Sequence, residues 1–181
     1  MKQKKYEKDL YRFYGKEKLT IWEKLNMPQE IKYLILFRKI QNCTIPILKI
    51  ILKIRLRHKQ NKTHIQIPFR TKIGEGFYIG HLGRIIINPE VIIGKNCNIA
   101  TGVVIGQINK GKKKGCPIIE DEVWIGANSV IVGKIRIGRN VLIAPNSYVN
   151  FDVPENSIVI GNPGVVHHNE QATDGYIQNK V

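Results

Sequence analysis

The chain has 181 residues, 43% of them hydrophobic and 24% charged, with a net charge of +15. That length suits one domain with a short appendage and buries a core without covalent staples. Three cysteines, Cys43, Cys97 and Cys116, form neither pairs nor a ligand cluster, which argues against a disulfide framework and a zinc finger.

The charge is unevenly placed. Residues 1–72 hold 19 Lys and Arg against 5 Asp and Glu, a balance of +14; residues 73–181 hold 10 against 9, a balance of +1. A basic arm on a neutral body suits an anionic surface, or a solvated face on helices packed in an oligomer. Tyr6, Tyr11, Phe13 and Tyr14 interleave with this charge, but no nucleic-acid reading motif accompanies them. The first residues contain no apolar signal region, and no apolar run reaches the roughly 18 residues of a spanning helix. The expected setting is a reducing cytoplasm.

In chain order, residues 1–62 read as a basic amphipathic helical segment. Pro28 stands where a first-turn proline belongs, and Ile31, Leu34, Ile35 and Arg38 follow it at helical spacing. Pro46 restarts a helix. Its predicted apolar face joins Ile47, Ile50, Ile51 and Ile54 with Leu48, Leu52 and Leu56, and Lys49, Lys53, Arg55 and Arg57 fill the remainder.

From Ile73 the period becomes six. Ile87, Ile93, Ile99 and Ile105 form one run; Ile119, Ile125, Ile131, Ile137, Ile143 and Val149 form a second. Ile73 and Ile79 share the spacing but fall two residues out of phase, so one coil between His81 and Asn88 is longer than the rest. Period six fits neither the 3.6 of a helix nor the 2 of a strand. It is the mark of a hexapeptide β-helix, in which three short strands and three corners make one coil and the isoleucines stack inside. Glycines after many of the isoleucines (Gly74, Gly80, Gly94, Gly106, Gly126 and Gly138) are expected to permit the corner conformation. Residues 107–115 break the spacing and should protrude, with Lys112, Lys113 and Lys114 exposed to any anionic substrate. The predicted parts are the helical segment 1–62, a β-helix domain 63–166 and a C-terminal tail 167–181 holding His167 and His168.

Four stretches carry a specific resemblance: IGEGFYIGHLGRIIINP at 73–89, VIIGKNCNIATGVVIG at 91–106, PIIEDEVWIGANSVIVGKIRIG at 117–138 and APNSYVNFDVPENSIVIGNPG at 144–164. The chain resembles the hexapeptide-repeat acyltransferases, on the branch of serine O-acetyltransferase. The resemblance implies a left-handed parallel β-helix, a homotrimer with sites between subunits, acetyl-CoA as co-substrate and no metal. It implies that His81 is the general base, since a hydroxyl nucleophile must lose its proton during attack. It places acceptor contacts at Gln66, Asn88 and Cys116. Cofactor contacts are implied at Trp124, Ala127, Ala144, Pro145, Gly161 and Pro163.

Where the serine enzymes carry Asp before the base, this chain has Gly80. A second acidic position is Gln66, and an Arg-His pair is Gly115-Cys116. With Gly80-His81-Leu82-Gly83 and Ile87-Asn88-Pro89, the sequence looks more like enzymes of capsule and exopolysaccharide assembly. The acceptor expected on that basis is a sugar hydroxyl, on a substrate at the inner face of an anionic membrane. Serine as acceptor is the first alternative, and a non-catalytic β-helix with a binding arm is the second.

Overall fold

The computed structural model describes residues 5–181; Lys2 and Lys4 of the basic segment lie outside the described residues. Four helices come first: α1 (Lys5–Tyr14), α2 (Ile21–Leu25), α3 (Gln29–Asn42) and α4 (Pro46–Thr63). Thr20 caps α2 in a capping box with Glu23. Pro28 is the residue before α3 rather than inside its first turn, whereas Pro46 opens α4 at N1. His64 closes α4 in the left-handed conformation. No helix among the described residues is long and apolar enough to cross a membrane.

The chain then winds into a parallel solenoid with three faces. Face A stacks β1 (Ile65–Gln66), β4 (Ile85–Ile87), β7 (Val104–Gly106), β10 (Val130–Val132) and β13 (Tyr148–Val149). Face B stacks β2 (Lys72–Ile73), β5 (Ile92–Ile93), β8 (Ile118–Ile119) and β11 (Arg136–Ile137). Face C stacks β3 (Tyr78–Ile79), β6 (Asn98–Ile99), β9 (Trp124–Ile125), β12 (Val141–Ile143) and β14 (Ser157–Ile160), with β15 (Val165–His168) antiparallel at its edge. The period-six isoleucines are in register, as in Ile87↔Ile105↔Ile131↔Val149 and Ile79↔Ile99↔Ile125↔Ile143. All of these side chains are buried in one interior column.

Four of the glycines after the isoleucines, Gly74, Gly94, Gly126 and Gly138, have a different cause from the one expected, while Gly80 and Gly106 have room for a Cβ. None of the six has a positive φ. A Cβ on Gly74 would lie 2.5 Å from the Gly94 backbone, one on Gly94 2.6 Å from Glu120 and one on Gly126 2.6 Å from Pro145. Adjacent coils approach too closely there for a side chain. Left-handed residues lie instead at Gly76, Asn96, Glu122, Asn140 and Asn156 on the corner from face B to face C, and at Gly102, Asn128 and Asn146 on the corner from face C to face A. Asparagine tolerates this conformation better than most residues.

The helices close one end of the column. Tyr33, Leu34, Phe37 and Ile40 of α3 join the same buried cluster as Ile65, Ile67, Ile73, Phe77 and Ile79 of the first coil. Tyr33 Oη donates to the Ile67 carbonyl at 3.0 Å and accepts from the Ile67 amide at 3.2 Å, satisfying backbone at the open edge. Asp9 and Arg38 fasten the cap. Arg38 Nε and Nη2 meet the two Asp9 oxygens at 2.8 and 3.2 Å, Arg38 Nη1 donates to the Ile73 carbonyl at 2.8 Å, and Asp9 accepts from the Phe77 amide at 2.9 Å. The Arg38 side chain is fully buried.

In α4 the predicted face divides. Leu52 and Leu56 point into the core, while Ile47, Ile50, Ile51 and Ile54 are exposed. His167 and His168 lie in β15, paired with Ile158 and Ser157, rather than in a loose tail. The segment beyond them returns along the solenoid: Asn140 bonds Thr173 and the Glu170 carbonyl, Lys180 pairs with Glu122, and Asn96 bonds both backbone groups of Val181.

Removing one partner of a buried ion pair leaves the other charge uncompensated. Asp9→Ala or Arg38→Ala should each cost about 3–5 kcal/mol in denaturant unfolding. Lys180→Ala, at an exposed pair with Glu122, should cost less than about 1 kcal/mol.

Candidate active site

The site forms at the corner from face C to face A. Three upper coils cross this corner in a step of four from an inward Ile to the next inward side chain, as from Ile125 to Ser129 and from Ile143 to Ser147. The first coil takes six, from Ile79 to Ile85. These two extra residues explain the phase slip between Ile79 and Ile87, and they lift His81 and Leu82 out as exposed side chains. Gly83 holds the loop against the next coil. Its φ is +141°, and a Cβ there would lie 2.0 Å from Thr101 Oγ1.

His81 lines a cavity of about 360 Å³ with Tyr78, Asn98 and Trp124 of face C, Arg12 of α1 and Tyr176 of the returning C-terminal segment. Arg12 Nε donates to the Gly76 carbonyl at 3.0 Å, and its Nη2 donates to Asn98 Oδ1. Burial lowers the Arg12 pKa, opposed by Cys97, Tyr78 and Asp9. Phe13 stacks on Tyr78 with centroids 4.1 Å apart, and Trp124 meets Tyr176 at 4.8 Å. Asn98 Nδ2 donates to the Tyr176 carbonyl at 3.0 Å. Among the described residues no carboxylate lines this cavity.

Several of the predicted cofactor residues share the edge that His81 begins. The amides of Gly80, Ala100, Gly126 and Ala144 each donate to the coil above, to Ile99, Ile125, Ile143 and Val159. His81, Thr101, Ala127, Pro145 and Gly161 are therefore the next residues in register. At about 4.8 Å per coil they span about 19 Å. After Thr101 the edge is small or flat. It is a strip of small side chains along which the backbone is accessible. Pro163 follows at the last corner and is exposed. Trp124 lies on face C beside this edge.

The predicted acceptor residues are not gathered with His81 in this chain. Gln66 is exposed on β1, in a separate groove with Arg57, Gln60 and His64. Asn88 follows β4; its Oδ1 accepts from the Glu90 amide at 2.9 Å and its Nδ2 donates to Gln107 at 3.4 Å. Cys116 is half-buried at the end of the protruding loop, and burial raises its thiol pKa. The loop is a small hairpin closed by Ile108 and Gly115, with the Lys113 ammonium on the Asn150 carbonyl. Cys97 is fully buried, its thiol pushed up to about 12. No cluster of three metal-ligating side chains occurs among the described residues. Nothing in the sequence alone singles out Arg12, Tyr78, Asn98 or Tyr176 as lining residues. Tyr78 and Asn98 could have been found from strand register; Arg12 lies 86 residues from Asn98 and gives no local signal.

The model of the bacterial transferase hexapeptide (six repeats) matches residues 116–150, and that of the hexapeptide repeat of succinyl-transferase matches 86–107. A serine acetyltransferase of Bacillus licheniformis is 39% identical over 104 residues, 58% of this chain and 48% of the relative. One from Staphylococcus epidermidis is 41% identical over 102 residues, 56% and 48%. The chain spans about half the length of these curated relatives. Among solved structures, serine acetyltransferase of Neisseria gonorrhoeae superposes with a TM-score of 0.76 at 27% identity, covering 97% of this chain and 70% of that one. Its complex with serine gives 0.74 at 26% identity, covering 91% and 68%. A Brucella abortus serine acetyltransferase in complex with coenzyme A shares the fold at 0.74 and 20% identity, covering 91% and 66%. The solenoid is accordingly a left-handed β-helix.

Gly83→Ala should cost about 1–3 kcal/mol in denaturant unfolding, from backbone strain and the clash with Thr101. Adding Thr101→Ala removes the clash but not the strain, so it should restore only part.

Proposed function

We propose that the chain, whose coils match hexapeptide-repeat transferase models over residues 86–107 and 116–150 and fit the serine acetyltransferase-like branch, is an acetyl-CoA-dependent O-acetyltransferase with His81 as general base. The carrying observation is the lengthened corner, which sets an exposed imidazole at the head of a strip of small residues. His81 takes the proton of the acceptor hydroxyl as its oxygen attacks the thioester carbonyl carbon. The C–S bond breaks, and His81 returns the proton to the departing thiolate. Ala127, Ala144, Pro145, Gly161 and Pro163 would hold the arm of the donor, with Trp124 beside it.

Serine is the acceptor to test first, because the relatives and the solved neighbours named above are serine acetyltransferases. The sugar acceptor expected from the Gly80–Gly83 motif has no support among them. One observation keeps it as a second reading. With no carboxylate lining the His81 cavity, the ammonium group of an amino acid meets no counter-charge there. A homotrimer would bring a neighbouring copy to the exposed His81 edge, and Gln66, Asn88 and Cys116 would then contribute across that boundary. The protein would act in the cytoplasm, where acetyl-CoA is supplied.

Free-thiol release from acetyl-CoA, measured with L-serine and with a panel of sugars, tests this reading. His81→Ala should lower turnover by about 10²–10⁴-fold while equilibrium CoA binding stays within a few-fold. Release with serine alone assigns the serine reaction, and release with a sugar alone assigns the second reading. Silence without CoA binding would sink the enzymatic proposal and leave a non-catalytic module.

A further inference from the structure

The exposed isoleucines of α4 are the largest feature that the acyl-transfer reading leaves unused. Ile47, Ile50, Ile51 and Ile54 are 74%, 57%, 49% and 66% exposed, on the side of the helix opposite the buried Leu52 and Leu56. At 100° per residue these four side chains fall within a stripe of about 100°. A soluble helix normally turns charge outward from a core it already covers. This one is apolar on both faces.

The stripe runs into a groove between α3 and α4, of about 670 Å³, floored by Ile35 and Leu36 and rimmed by Lys32, Lys39, Arg55 and Lys62. Residues 29–63 hold nine Lys and Arg and one acidic residue, Glu30. Among the described residues no carboxylate forms an ion pair with those four rim cations. Lys59 beside them donates to Gln29, and burial together with Lys32, Lys62 and Arg55 depresses its pKa.

We propose that this face of α3 and α4 docks on an anionic lipid bilayer, with the isoleucines in the acyl–headgroup boundary and the rim cations on lipid phosphates. An apolar stripe flanked by uncompensated cations has the composition of a helix lying in a membrane interface. A second copy of the chain supplies no net negative charge. The same face adds like charge, and residues 73–181 carry a balance of only +1. The inference is independent of the acetyl-transfer reading and needs no activity to test.

The experiment is co-sedimentation of the full chain with vesicles of neutral phosphatidylcholine, alone or mixed with phosphatidylglycerol. Binding to the anionic vesicles at low salt, weakened at high salt, is expected. Neutralising two cations near the surface, in Arg55→Gln with Lys62→Gln, should weaken it about thirty-fold. Ile50→Ser with Ile54→Ser, at exposed positions that leave the fold intact by circular dichroism, should abolish it. No sedimentation with anionic vesicles at low salt, or equal binding to neutral ones, overturns the proposal. So does binding that neither pair of substitutions changes. A shift in sedimentation-velocity mass in the isoleucine variant, with wild type failing to bind vesicles, assigns the face to a second copy instead.

Discussion

The ion pair between Asp9 and Arg38 joins two chain segments, α1 and α3, and fastens both to the first coil. A solenoid end is an unfinished core: each coil covers its neighbour, and the last is left open. Arg38 lies on α3 and Asp9 on α1, yet their bonds end on Ile73, Gly74 and Phe77 of the first coil. Both charges are removed from water, which is tolerable only because the pairing is bidentate and the remaining groups meet backbone partners. Once this clamp is set, Tyr33 and Phe37 fall onto the isoleucine column, and Arg12 is brought beside Tyr78 and Asn98. The cap and one wall of the His81 cavity therefore share a helix, α1, which supplies Asp9 to one and Arg12 to the other.

Much of the architecture was legible because a hexapeptide repeat leaves little choice. Period six identified the column, and the slip between Ile79 and Ile87 located the longer corner that the structure finds at residues 80–84. The glycines were read correctly in position but not in cause, since one sequence does not reveal that Gly74 and Gly94 lie against each other. The split of α4 was hidden for a related reason. Periodicity sets Leu52 and Leu56 opposite Ile50 and Ile54, but leucine and isoleucine have similar hydrophobicity, so it could not tell which face is buried.

The site was legible along the edge and obscure across it. Residues that follow the same corner through successive coils, from His81 to Ala127 and Gly161, are related by the repeat itself. Arg12 and Tyr176 reach the cavity from opposite ends of the chain, and no repeat relates them to His81. Gln66, Asn88 and Cys116 fall elsewhere on the single chain, so resemblance proposed their grouping and the register of this chain does not supply it.

The returning C-terminal segment changes how the solenoid should come apart. A stack in which each coil touches only its neighbours can fray from an end, one coil at a time. Here Glu170 and Thr173 grip Asn140, Lys180 reaches Glu122 and Val181 arrives at Asn96, two coils below. Asn179 also donates to the Arg12 carbonyl on α1. The strand leaving the last coil is thus tied to the cap of the first, which turns an open-ended spring into a closed hoop. Loosening either terminus then slackens both, and the intervening coils tend to melt together rather than in sequence.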